Sequence, residues 1–312
     1  MGELEGVVKR VPVDDVTFAV SEQGHGEPVV FVHGDMSDHR SWGGQLPALS
    51  ERYRVITYSR RFAWPNPPPP PGAGNPLERH ADDLVAILRA LDATPAHLVG
   101  TSSGAFVCLL AARKAPELVA SLTLHEPPIV TLFVGLPPTP GEILRLLPSR
   151  PRTALSIVKF GARVIDPATK AFRRGDREAA TQIFVGGVVG TATFDKLPEK
   201  RREQARANVP ALEAMLVHGG MPRLTEADIR AVTVPTLLVA GTTSPRLFVR
   251  LIDALDELLP DSERVEIAGG HIAYELDPEP FNRALLAFLA NHPIVPGSIP
   301  RPSGSTRAEQ PA

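Results

Sequence analysis

The sequence is poor in several features that define whole classes of protein. Its 312 residues include one cysteine, Cys108, so neither an internal disulfide nor a multi-cysteine zinc site can form. Charge of neither sign dominates: 33 Lys and Arg stand against 35 Asp and Glu, a formal net charge of -2. That balance gives no electrostatic footing for nucleic acid or an anionic membrane. No apolar run approaches membrane-spanning length, and the opening "MGELEGVVKR" lacks the apolar stretch of a secretory leader. A cytoplasmic location is therefore expected. No H-E-x-x-H, paired C-x-x-C or Walker pattern is present, so no metal and no cofactor are expected. Aromatics are scarce, and the two tryptophans, Trp42 and Trp64, both lie in the first quarter of the chain.

What is present is 43% hydrophobic residues in short runs, enough to bury a sizeable core. Strand-like and helix-like segments alternate, the pattern of an α/β protein with a mostly parallel central sheet. "VKRVPVD" (8–14) and "VTFAVSEQG" (16–24) read as an opening hairpin. "PVVFVHG" (28–34), "YRVITYS" (53–59), "AHLVG" (96–100), "VASLTLHEPP" (119–128), "VPTLLVAG" (234–241) and "ERVEIAGG" (263–270) read as strands buried in a sheet. Helical spacing appears at 77–92, 105–116, 246–259 and 280–292. Five consecutive prolines in "RRFAWPNPPPPPGAGNP" make residues 65–71 a loop. From about 130 to 225 no strand pattern appears, so the expected division is a core of 1–129 and 226–292, a helical cap of 130–225, and a flexible tail of 293–312.

The chemistry begins at "HLVGTSSGAF" (98–107), a strand, a small-residue turn and a helix. Gly100-Thr101-Ser102-Ser103-Gly104 is G-x-S-x-G in the strand-to-helix context that gives the pattern meaning. Ser102 is centred between the glycines and is the expected nucleophile. Ser103 opens the helix, where its backbone N–H can meet a developing oxyanion. His271, in "EIAGGHIAYEL", follows the last strand and is the expected general base. His125 ends a strand and reads as a packed or supporting histidine.

The acid is missing from one obvious place: the loop after "PTLLVAG" is "TTSPR", without a carboxylate. Asp253 and Asp256 lie a helical turn or more beyond it. One strand earlier, "SLTLHEPP" ends in Glu126 at the same sheet edge, so Glu126 is the expected partner of His271. A second oxyanion donor is expected from the backbone of Asp35 or Gly34 in "FVHGDMSDHRSW". Asp38 reads as a surface loop charge, Trp64 as either a residue at the pocket rim or part of a proline-braced surface loop, and "EKRREQAR" (199–206) as a solvated helix face. Phe133, Phe160, Phe172, Phe184 and Phe194 in the insertion favour a moderately apolar substrate.

"VHG", "GTSSG", the helical insertion after strand six and "GGH", in this order, resemble the α/β-hydrolase family across about residues 10–292. That resemblance implies an α/β-hydrolase fold and a serine hydrolase that cleaves an ester or lactone through an acyl-enzyme. The family most often carries its acid after strand seven. The "TSSG" and "HEPP" motifs, with glutamate after strand six, look like those of zearalenone lactonases, which implies a macrolactone as one substrate to assay. Those lactonases place a cap tryptophan at the substrate, and none occurs in the insertion here. Two alternatives stay open: a C–C bond hydrolase of a β-diketone-type substrate, and a non-catalytic ligand-binding homologue. The expected partner is a small ester or lactone, with homo-oligomerisation left open.

Overall fold

A computed structural model describes residues 8–295; residues 1–7 and most of the expected tail of 293–312 lie outside the described residues. Eight strands form one sheet: β1 (Val8–Val13), β2 (Val16–Gln23), β3 (Pro28–Val32), β4 (Arg54–Tyr58), β5 (Ala96–Thr101), β6 (Val119–His125), β7 (Thr236–Gly241) and β8 (Ser262–Ile267). Their order is β1-β2-β4-β3-β5-β6-β7-β8. β1 and β2 form the expected hairpin, β2 pairs antiparallel with β4, and every later pairing is parallel. The central strands β3, β5 and β7 are almost wholly apolar because helices cover both faces. The edge strands carry charge instead, Lys9 and Arg10 on β1 and Arg264 and Glu266 on β8, which discourages further strand addition.

Helices Leu77–Ala90, Ser103–Lys114 and Arg246–Leu258 bury Leu84, Ile87, Phe106, Leu109, Leu251 and Leu255 against one face. The other face is covered by Trp42, Leu49, Phe281, Leu285 and Phe288, the last three from helix Pro278–Asn291. Each such side chain contributes roughly 1.5–3 kcal/mol by leaving water.

Element ends differ from the sequence expectation where a local cause intervenes. β6 stops at His125 instead of running to 128, because Glu126 takes φ 50° and two prolines follow. The helix after the serine turn starts at Ser103, two residues earlier than apolar spacing alone predicts.

Between β6 and β7 the chain is helical, including Pro140–Leu146, Pro151–Phe160, Asp166–Arg173, Arg177–Val188, Glu199–Ala207 and Val209–His218. Among the described residues, no helix is long and apolar enough to cross a membrane.

Candidate active site

Sheet register determines which residues meet. Val32 pairs with Gly100, Thr101 with His125, and His125 with Val239. The chain segments leaving β3, β5, β6 and β7 therefore emerge side by side: Gly34, Ser102, Glu126 and Gly241. This is the carboxyl edge of the sheet, at the point where β4 lies to one side of β3 and β5 to the other. Ligands of open α/β sheets bind at such an edge.

The serine turn is as tight as its glycines suggest. A methyl group on residue 104 would stand 2.2 Å from the Val32 carbonyl oxygen, and one on residue 100 would stand 2.6 Å from the Ala105 nitrogen. Only hydrogen fits at either place. Ser102 itself is driven to φ 52°, ψ -127°, a conformation that costs a non-glycine residue on the order of 1–3 kcal/mol. Its N–H donates to the His125 carbonyl at 2.8 Å, which ties the turn to the neighbouring strand. The side chain is left half-buried at the mouth of a cleft.

Glu126 and His271 meet as the sequence predicts. Glu126 is fully buried, its Oε2 accepts from His271 Nδ1–H at 2.5 Å, and its Oε1 accepts from the Gly241 N–H at 2.8 Å. Burial pushes this carboxyl upward, but the His271 hydrogen bond, with His125 nearby, outweighs it and holds the group at about 2. An ionised carboxylate only accepts, so Nδ1 of His271 carries the proton and Nε2 keeps a free lone pair. Phe248 stacks on the imidazole at 4.4 Å between ring centres and fixes its plane. His125 is a packed histidine: burial lowers it to about 4, and its Nδ1 lies 3.1 Å from Thr101 Oγ1.

Gly34, Asp35, Ser102 and His271 line one narrow cleft of about 50 Å3. The insertion supplies its apolar side through Phe184, Val185, Val188, Phe194 and Leu197. Of the five insertion phenylalanines, Phe184 and Phe194 reach the cleft, whereas Phe172 is buried and Phe160 packs edge-on against Phe248. One ion pair interrupts the apolar lining: Arg201 donates to Glu275 through Nε at 2.6 Å and Nη2 at 3.1 Å.

Two expectations need correction, and Trp64, left open between rim and surface loop, can be placed. Trp64 is absent from the cleft wall; it is 42% exposed, and its ring lies under the Arg40 guanidinium at 3.8 Å. Its backbone N–H donates to Asn208 Oδ1 at 2.8 Å. Asp38 is fully buried rather than a surface charge, accepting from Arg40, from Gln204 Nε2 at 2.9 Å and from Asn208 Nδ2 at 2.9 Å. Helix Glu199–Ala207 is only partly a solvated face, because Arg201 and Gln204 turn inward. Composition hid these residues: a run of alternating charges does not reveal which face meets the core.

Residues 27–278 match the family model described as alpha/beta hydrolase fold. The 2-(acetamidomethylene)succinate hydrolase of Mesorhizobium japonicum is 26% identical over 298 residues, covering 91% of this chain and 95% of that protein. Among solved structures, a thermophilic esterase from Thermogutta terrifontis superposes with a TM-score of 0.69 at 20% identity, covering 92% of this chain and 99% of the other. A carboxylesterase from Bacillus subtilis gives 0.68 at 17% identity, covering 93% of each. At those identities the structural likeness speaks for the fold.

Proposed function

The chain belongs to the alpha/beta hydrolase fold family, and on that premise we propose that it is a cofactor-independent serine hydrolase of carboxylic esters or lactones. The observation that carries this reading is the buried Glu126–His271 pair opening into the same cleft as the strained Ser102.

His271 Nε2 takes the proton of Ser102 Oγ as that oxygen attacks the substrate carbonyl carbon. Charge then develops on the carbonyl oxygen. The donors assigned to it are the backbone N–H of Ser103, free of an intrahelical partner at the start of helix Ser103–Lys114, and that of Asp35 or Gly34 in the cleft wall. The imidazolium formed on His271 is stabilised by Glu126 and returns its proton to the leaving oxygen. Water, activated by the same imidazole, then hydrolyses the acyl-enzyme. A serine rather than a carboxylate at the elbow favours acyl transfer over the alkyl-enzyme chemistry of epoxide hydrolases and dehalogenases of this fold.

The apolar wall of Phe184, Val188, Phe194 and Leu197 favours a moderately apolar acyl or lactone ring. The lactone end of the class rests on the "TSSG" and "HEPP" motifs, which look like those of zearalenone lactonases.

A fluorophosphonate probe followed by peptide mass spectrometry tests the nucleophile, with modification of Ser102 in wild type and none in Ser102→Ala expected. A panel of p-nitrophenyl esters, simple lactones and macrolactones then sets the substrate class. Turnover of a β-diketone with no ester or lactone activity would replace this reading with a C–C bond hydrolase, and failure of the probe to label wild type at Ser102 would favour a ligand-binding homologue.

A further inference from the structure

Two peptide N–H groups that must converge on one oxygen come here from different parts of the chain, the loop after β3 and the start of the helix after β5. Something has to hold their separation. Arg60, two residues after β4, lies behind both and is 4% exposed. Its Nη2 donates to Asp35 Oδ1 at 3.0 Å and to Ser103 Oγ at 2.9 Å. One nitrogen thus bridges the side chains of Asp35, which lines the cleft, and Ser103, which opens the helix just after Ser102.

The bridge is itself anchored. The Arg60 N–H donates to His33 Nε2 at 2.8 Å, and His33 Nδ1 lies 2.7 Å from the Gly34 carbonyl. Since Nε2 accepts, Nδ1 carries the proton and donates to Gly34. Burial keeps His33 neutral, lowering it to about 3, so this tautomer persists at neutral pH. The other two guanidinium nitrogens, Nε and Nη1, are buried without a hydrogen-bond partner among the described residues. The Asp35–Ser103 bridge is therefore what the buried guanidinium contributes to the site.

Resting on the serine-hydrolase reading, we infer that Arg60 is a positioning residue that sets the gap between the two oxyanion donors through the side chains of Asp35 and Ser103. Arg60 itself does not line the Ser102 cleft; it reaches it through Asp35, which does, and through Ser103, the residue after the proposed nucleophile. An ångström of misplacement is enough to lose on the order of a hundredfold in rate, so the brace should appear in kcat and hardly in ground-state binding.

The experiment compares wild type with Arg60→Met, Ser103→Ala and the double variant. It measures kcat and KM on a p-nitrophenyl ester, Ki for phenylboronic acid as a tetrahedral mimic, and Tm. Arg60→Met should lower kcat roughly 10- to 100-fold, leave KM within about threefold, and weaken phenylboronic acid in step with kcat/KM. Ser103→Ala keeps the amide and removes only the brace's acceptor, so its smaller loss should disappear in the Arg60→Met background.

A loss confined to KM, an unchanged kcat in folded Arg60→Met, or losses that multiply in the double variant would overturn the inference. Should Arg60→Met fail to fold, Asp35→Ala and Ser103→Ala decide. Each should lower kcat, non-additively together, and full activity in both overturns it. Wild type that resists the fluorophosphonate would overturn the hydrolase reading and this inference together, whereas labelled wild type with an indifferent Arg60→Met overturns the inference alone.

Discussion

Replacing Glu126 with glutamine changes one oxygen for an NH2 in a site where both oxygens are already committed. Oε1 accepts from Gly241 N–H and Oε2 from His271 Nδ1–H. If the amide oxygen stays with Gly241, the NH2 faces Nδ1, which must then accept. The imidazole proton moves to Nε2, and the base can no longer take a proton from Ser102. If the oxygen turns to His271, the NH2 meets the Gly241 N–H and two donors face each other. Either arrangement sacrifices one charge-assisted hydrogen bond. The fall of the carboxyl from 4.5 to about 2 corresponds to about 3 kcal/mol in favour of the ionised form, which the amide cannot provide to an imidazolium. Together with the wrong tautomer, this predicts a kcat loss of roughly 10²- to 10⁴-fold with KM little changed. Steady-state kinetics on a p-nitrophenyl ester, beside a thermal melt, measures it. Asp253→Asn is the control, since Asp253 is engaged with Arg264 and Arg250 away from the cleft. A folded Glu126→Gln enzyme within about fivefold of wild-type kcat would refute the reasoning.

Three further outcomes follow from the geometry. His125 is lowered from 6.5 to about 4 by burial, so its contribution to stability is complete above pH 6.5 and is lost as pH falls toward 4; His125→Gln should narrow the Tm difference between pH 7 and pH 5. Asp38→Ala strands the buried ends of Gln204 and Asn208 and unpairs Arg40, which should cost about 3–5 kcal/mol and lower Tm on the order of 10 °C by calorimetry. Trp64→Ala removes a partly exposed stacking contact with Arg40 and should cost about 1 kcal/mol or less while leaving kcat/KM within about twofold; a large rise in KM would return Trp64 to the pocket.

The sheet, its helices and the helical insertion were legible because short continuous apolar runs and helical stripes arise from local geometry that each segment carries alone. Ser102 was legible for a similar reason: two glycines forced by close backbone approach are a local demand, visible in five letters. Glu126 was reached by exclusion, since "TTSPR" offered no carboxylate and strand six ended in one. What stayed hidden were the residues whose role depends on contacts far along the chain. Asp38 meets Gln204 and Asn208 across more than 160 positions, and Arg60 meets Ser103 across 43. No periodicity links such pairs, and a buried aspartate has the same letter as an exposed one. Trp64 stayed open for the same reason: its size allowed a pocket or a surface role, and no local pattern showed that the Arg40 guanidinium covers its ring face.

Ser102 and Glu126 leave adjoining strands with φ of 52° and 50°, angles that glycine adopts freely and other L residues resist. On the proposed mechanism, glycine at either position would release strain while deleting the nucleophile or its acid. A library screened by survival of heating alone should therefore enrich inert variants at 102 and 126, and selection on this scaffold must reward turnover and robustness in the same round.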